Sequence, residues 1–232
     1  MNKFFTIIFI ATAVISSATR ASENNKTEGD YLGLGLVGVK ASFTERSVNV
    51  ITKRPVNIYP SYSNKGLGLG VSYKHAFNFN KFFIAPGIFF DQLETRVNGA
   101  NGDYYEFQND HRSLFRLDLK NRYGLKTDFG YDLNNYLSPY LTVGYTMVNY
   151  RTQNYYYDFS SPAVSTIRNG SVKDFVYGAG LKINYNSDLA LNIEYINQSF
   201  LAKTYIPANP YQVSSLYKVN LQTLSLGITH KF

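Results

Sequence analysis

Residues 115–131 read FRLDLKNRYGLKTDFGY. Phe115, Leu117, Leu119, Tyr123, Leu125 and Phe129 fall on one parity, and Arg116, Asp118, Lys120, Arg122, Lys126 and Asp128 on the other. A period of two sustained this long predicts a β-strand with one greasy and one polar face, and it excludes an amphipathic helix. The same pattern recurs. Residues 67–79 set Leu67, Leu69, Val71, Tyr73, His75, Phe77 and Phe79 against Gly68, Gly70, Ser72, Lys74, Ala76 and Asn78. Residues 174–186 set Phe175, Tyr177, Ala179, Leu181, Ile183 and Tyr185 against Val176, Gly178, Gly180, Lys182 and Asn184. Residues 189–200 set Leu189, Leu191, Ile193 and Tyr195 against Ala190, Asn192, Glu194 and Gln198. Weaker strands are expected at 31–43, 82–95 and 137–150, with Leu32, Leu34 and Leu36 on the greasy face of the first. Pro86 and Pro139 mark strand ends or bulges, because proline cannot donate to a ladder. An eighth strand, 218–232, ends the chain on Phe232.

The connections alternate in length. Intervals 44–66, 96–114, 151–173 and 202–217 are long, and the breaks near 80–81, 132–136 and 186–188 are short and polar. This rhythm predicts an all-β, eight-stranded antiparallel up-and-down transmembrane β-barrel, with short periplasmic turns and four long extracellular loops. Ten strands result instead if 44–66 or 151–173 contains a hairpin. Each strand has the ~9–11 residues a tilted membrane strand needs. Lipid cannot hydrogen-bond a backbone, so the sheet must close, and the last strand must pair with 31–43. Leu224, Leu226 and Ile228 are then expected to face lipid, and Ser225 and Gly227 the lumen. Phe79, Phe82, Phe129, Tyr131, Tyr136 and Tyr185 suit an aromatic girdle at the short-turn end.

The N-terminus agrees with export. Lys3 precedes a short apolar run, 4–15, and then small residues. Residues 1–21 read as a signal peptide cleaved after Ala18 or Ala21, 22–30 as a disordered mature N-terminus, and 31–232 as the barrel. Charged residues make up only 17% of the chain, below the ~25% of soluble domains. Aromatics reach 16%, carried by 21 Tyr and 17 Phe. The +7 formal charge does not argue for nucleic acid in an exported, lipid-embedded chain. No Cys or His cluster has metal spacing, and no cofactor is implied.

Three groups of residues bear on function. Lys74, Asp91, Arg116, Asp118, Lys120, Arg122, Lys182 and Glu194 are expected to form an interior salt-bridge network. At eight strands the lumen is just filled by side chains, and buried charges must pair. Arg46, Lys53, Arg54, Tyr104, Tyr105, Arg151, Tyr155, Tyr156, Tyr157, Arg168, Tyr205 and Tyr211 sit in the expected loops, where Tyr and Arg make recognition anchors. Asp110, His111 and Ser113 are neighbours in one loop. Neighbours in sequence make weak evidence for a spatial triad, so no catalytic residue is assigned and the chain is expected not to be an enzyme.

The strands GLGLGVSYKHAF, SPYLTVGYTMV, LALNIEYINQSF and the terminal LSLGITHKF resemble the small outer-membrane β-barrels of Gram-negative bacteria, the OmpA/OmpX/Opa-like proteins. In that family the terminal strand resembles a signal read by the barrel-assembly machinery. Here it would be carried by Ile228, His230 and Phe232, with His230 departing from the family's common Tyr. More narrowly, the Asn/Tyr/Lys-rich character resembles surface adhesins of rickettsial bacteria. This likeness implies a monomeric cell-surface protein bound to outer-membrane lipid and lipopolysaccharide. It would attach to host-cell surface or serum proteins through its loops. A structural or porin-like barrel is the alternative.

Overall fold

A computed structural model describes residues 28–49, 55–58, 62–101, 112–158, 161–207 and 212–232. Nine strands order as one antiparallel sheet. They are β1 (Gly29–Asn49), β2 (Pro55–Ile58), β3 (Tyr62–Phe79), β4 (Phe82–Asn101), β5 (Arg112–Tyr131), β6 (Leu137–Asp158), β7 (Ser161–Asn184), β8 (Leu189–Pro207) and β9 (Gln212–Lys231). β1 pairs β9 from Tyr31↔Lys231 to Asn49↔Val213, which closes an eight-stranded barrel. β2 is the ninth strand. It pairs only with the distal end of β1, so interval 44–66 adds no barrel hairpin. β1 begins at Gly29, two residues before the expected start.

The short turns have local causes. Asn80 adopts φ 64°, the left-handed region in which Asn is enriched, and closes the β3–β4 hairpin. Asn134 and Asn186 repeat one device. The Asn134 Oδ1 accepts the Tyr136 and Leu137 amides at 2.8 and 2.9 Å, and the Asn186 Oδ1 accepts those of Asp188 and Leu189 at 3.0 and 2.7 Å. Around this end Phe79, Phe82, Phe129, Tyr136 and Tyr185 point outward as expected, and Phe82 packs on Tyr131. Leu224, Leu226 and Ile228 also face out, whereas Ser225 and Gly227 line the lumen.

The four expected long loops are largely strand. β4 continues to Asn101, β6 to Asp158, β7 starts at Ser161 and β8 runs to Pro207. Each of the eight barrel strands is about twice the length a membrane needs. Along it the apolar face changes sides. On β1, Leu34 and Leu36 are exposed outward, whereas Val37, Val39, Ala41 and Phe43 are buried inward. On β4, Ile88 and Phe90 face out and Leu93 and Val97 face in. On β9, the outward Leu224 gives way to the inward Tyr217, Val219 and Leu221. The turn-side half thus carries an outward lipid-facing band. The distal half encloses a core of these residues with Leu117, Leu119, Val148, Tyr150, Phe200 and Ala202.

β5 makes the same change by different means. Its apolar residues keep odd numbers throughout, yet Leu117 and Leu119 are buried while Tyr123 and Leu125 are exposed. The register slips by one residue between Leu119 and Asn121 against β6, and again against β4 between Gln92 and Thr95. A bulge reverses which face a given parity occupies. The sequence-based assignment of Arg116, Asp118 and Lys120 to the interior is therefore wrong. Above the bulge they share the outer face, and only Arg122, Lys126 and Asp128 below it enter the lumen.

Candidate functional site

The lumen within the lipid band is filled by paired charges. Arg122 is 0% exposed and donates to Asp91 from Nη2 at 2.6 Å and Nε at 3.1 Å, with Thr223 at 3.0 Å. Lys126 pairs with Glu194, and Lys74 with Asp128. The Phe89 ring lies 5.4 Å from the Arg122 guanidinium carbon and 5.1 Å from Lys126 Nζ, and Lys182 Nζ stands 4.0 Å from the Tyr31 ring centre. Low dielectric makes each pairing obligatory. Room for the long side chains comes from the opposite wall, β9–β1–β3, where Gly33, Gly35, Gly70, Ser72, Ser225 and Gly227 face the lumen. Gly170 and Gly180 serve a related purpose. They lie directly across from Tyr150 and Tyr140, whose rings occupy the space a Cβ would need.

Of the expected network, Lys74, Asp91, Arg122, Lys182 and Glu194 are interior, and the three β5 residues are not. Lys126 and Asp128 complete it. Both share the sequence parity of Arg122 below the bulge, with Asp128, the partner of Lys74, two positions beyond Lys126 on the same face. Arg116 and Arg96 instead grip Asp118 on the outer face at 2.9 and 3.0 Å. Burial alone would raise the Asp118 carboxyl, but the two guanidiniums hold it below the usual carboxylate range.

Toward the distal end, the apolar core closes the lumen among the described residues: Val37, Leu93, Leu117, Val148 and Leu221 are each at most 1% exposed. Above the lipid band the wall itself divides. β7 and β8 pair only from Val176↔Gln198 to Asn184↔Ala190, although β7 continues back to Ser161 and β8 on to Pro207. β3 and β4 stop pairing above Leu67↔Glu94. β1–β9, β4–β5, β5–β6, β6–β7 and β8–β9 stay paired far beyond. The result is two blades, β4–β5–β6–β7 and β8–β9–β1–β3, separated by two forks.

The proposed recognition residues were expected in loops. Arg46 lies instead on β1, Arg151, Tyr155, Tyr156 and Tyr157 on β6, Arg168 on β7 and Tyr205 on β8. Polar, aromatic segments outside a membrane read as loops, yet their neighbours here pair them into sheet. Arg151 and Arg168 belong to the same blade, with Arg151 opposite Asn169. Lys53, Arg54, Tyr104, Tyr105 and Tyr211 lie outside the described residues, as do Asp110, His111 and the signal-peptide segment. At the other end, the Phe232 amide donates to the Asp30 carbonyl at 3.0 Å, and the His230 and Phe232 rings are 5.9 Å apart. Among the described residues no group of three or more His, Cys, Asp or Glu has metal-binding geometry.

Residues 7–232 match the outer membrane protein beta-barrel domain family. The chain belongs to this family. No curated relative matches it. Solved structures share the architecture at low identity. The attachment invasion locus protein Ail of Yersinia pestis is 15% identical, with 88% of this chain and 99% of Ail covered, at a TM-score of 0.41. The outer membrane protease OmpT of Escherichia coli is 10% identical, with 92% and 99% covered, at 0.50. OprG of Pseudomonas aeruginosa is 12% identical, with 89% and 97% covered, at 0.48. Family membership places this barrel in the outer membrane, and the likeness to OmpT shows the fold alone.

Proposed function

We propose that this outer-membrane barrel is an adhesin: its extracellular end binds host-cell or serum proteins. The observation that carries this reading is the doubled strand length. Half of every strand lies beyond the lipid band, and that half spends its apolar residues on a core of its own. A barrel whose task ends at the membrane has no need of a second core. A porin-like task is disfavoured by the closed distal lumen. The surface is well suited to protein recognition, with Arg151 and Arg168 held on a rigid sheet rather than on mobile loops. Lipopolysaccharide and outer-membrane lipid are the expected surroundings, and the barrel-assembly machinery the expected partner during insertion.

The test is to replace 96–114 and 151–173 with short turns and measure attachment to host cells. Heat-modifiable gel migration would show that the barrel remains folded. Loss of attachment with a folded barrel is expected. Unchanged attachment would reject these hairpins as the binding surface.

A further inference from the structure

The two forks are not equivalent. At the β3/β4 fork a single side chain bridges the gap: Asn64 accepts the Lys65 amide at 2.8 Å and donates from Nδ2 to the Arg96 carbonyl at 2.6 Å. Gly66 brings β3 close against the Glu94 backbone just below. Both edges are thus occupied where they separate. At the β7/β8 fork the Phe175 amide donates to the Asp174 carboxylate at 2.7 Å. A carboxylate cannot donate onward to β8, so this bond stays on β7 and does not span the gap.

That bond also fixes which groups face the opening. The Phe175 amide points away from β6. Alternation in an antiparallel strand then turns the amides of Lys173, Ser171, Asn169 and Ile167 the same way. Continuing the β7–β8 register would set Phe175 opposite Ser199 and Ile167 opposite Pro207, yet none of these pairs forms. Edges of this kind are templates for another strand.

We propose that the β7 edge above Val176, facing β8, takes an extended acidic segment of a partner polypeptide by strand addition, the mode of contact that makes this barrel an adhesin. A backbone ladder is chemically complementary to a second backbone, and main-chain hydrogen bonds supply affinity while side chains select sequence. Two features of the flanks set that selection. Ile167 and Leu201 are 49% and 51% exposed beyond the lipid band, where a partner's alternate apolar residues would cover them. The adjoining sheet carries Lys120, Arg151 and Lys173 against Asp174 and an Asp118 already held by Arg96 and Arg116, so a negatively charged strand is favoured. This proposal rests on the adhesin reading and adds the site and the chemistry.

A nine-residue peptide alternating Val and Glu is the probe, with the barrel refolded in lipid vesicles. Saturable binding is expected, together with slowed amide exchange in 167–175. Methylating the peptide's alternate backbone nitrogens, or exchanging Glu for Lys, should weaken binding at least tenfold. Ser171→Pro, which removes one open amide, should do the same, and Ser171→Ala, which keeps it, should not. Heat-modifiable migration confirms that each variant is folded. No saturable binding, protection elsewhere, or full binding by Ser171→Pro would overturn the proposal. Protection of the same amides by self-association without peptide would also overturn it, because the occupant would then be a second copy. Attachment of cells bearing the wild-type chain is measured separately. Attachment unaffected by Ser171→Pro sinks the edge site alone, and peptide binding without any attachment sinks the adhesin reading alone.

Discussion

Asp91→Ala tests whether the lumen is dry. Arg122 has no exposed surface and donates two hydrogen bonds to Asp91, at 2.6 and 3.1 Å, and one to Thr223 at 3.0 Å. Its Nη1 has no hydrogen-bond partner among the described residues, so the guanidinium is already short of acceptors. Hydrogen bonds to charged groups are worth ~1.5–3 kcal/mol each, and leaving one member of a buried pair uncompensated costs ~3–5 kcal/mol in all. The variant should lose about that much. Asp91→Leu combined with Arg122→Met removes both charges and should fall within ~1 kcal/mol of the native barrel, because apolar replacement of a whole buried pair is often neutral or better. The assay is urea unfolding of the barrel in thin-bilayer vesicles, followed by far-UV circular dichroism because the chain has no Trp. A loss below ~1 kcal/mol for Asp91→Ala would mean that water replaces the carboxylate, and the description of a filled lumen would fail.

Further expectations follow from the same architecture. Deleting Lys120 removes the extra residue of the bulge, so plain alternation from Arg122 still sets Leu119 and Leu117 inward and heat-modifiable migration should survive, whereas deleting Lys120 and Asn121 together should turn both leucines outward, at ~1.5–3 kcal/mol each, and abolish it. Lost migration after the single deletion, with native migration after the double one, would refute the face reversal. Gly180→Val sets a branched side chain where the Tyr140 ring lies and should destabilise the barrel by ~1–3 kcal/mol in the urea assay, with Tyr140→Ala in the same chain relieving part of the strain. The native barrel should show no unitary conductance in planar bilayers, since its distal core is closed; steady channel openings would contradict that core. Removing Phe232 should lower insertion yield in cells, because its amide closes on Asp30, and His230→Tyr should leave yield equal or higher.

The barrel was legible in the sequence because lipid enforces one rule on every membrane strand. Leu224, Leu226 and Ile228 had to point outward together, and the short turns announced themselves through NK, NNY and NSD. What was not legible is the region where the solvent changes. Val37, Val39, Ala41 and Phe43 alternate as cleanly as Leu32, Leu34 and Leu36, but in the opposite phase. A single strand spanning both phases shows no clean period across its length. On β5 the charges from Arg116 to Arg122 form an unbroken even-numbered series, and only the bulge divides it. Nothing in residues 119–121 marks a bulge, because it is set by pairing with β4 and β6. The forks escaped notice for a similar reason. Whether Ser171 pairs with β8 depends on the divergence of two blades, and no local sequence encodes that.

The extracellular sheet also sets a distance. From Phe175 at the edge of the lipid band to Ser161 the chain climbs fourteen residue steps. At ~3.3 Å per residue and a tilt of ~40°, that is about 35 Å of height. Flexible loops of equal length would collapse toward the bilayer and vary from moment to moment. A sheet with its own core stands like a mast, so anything presented near its tip stays clear of the lipid headgroups and of short sugars attached to them. Shortening every blade by an equal even number of residues would keep the chemistry of the surface and lower its height, which separates reach from recognition on the crowded face of a cell.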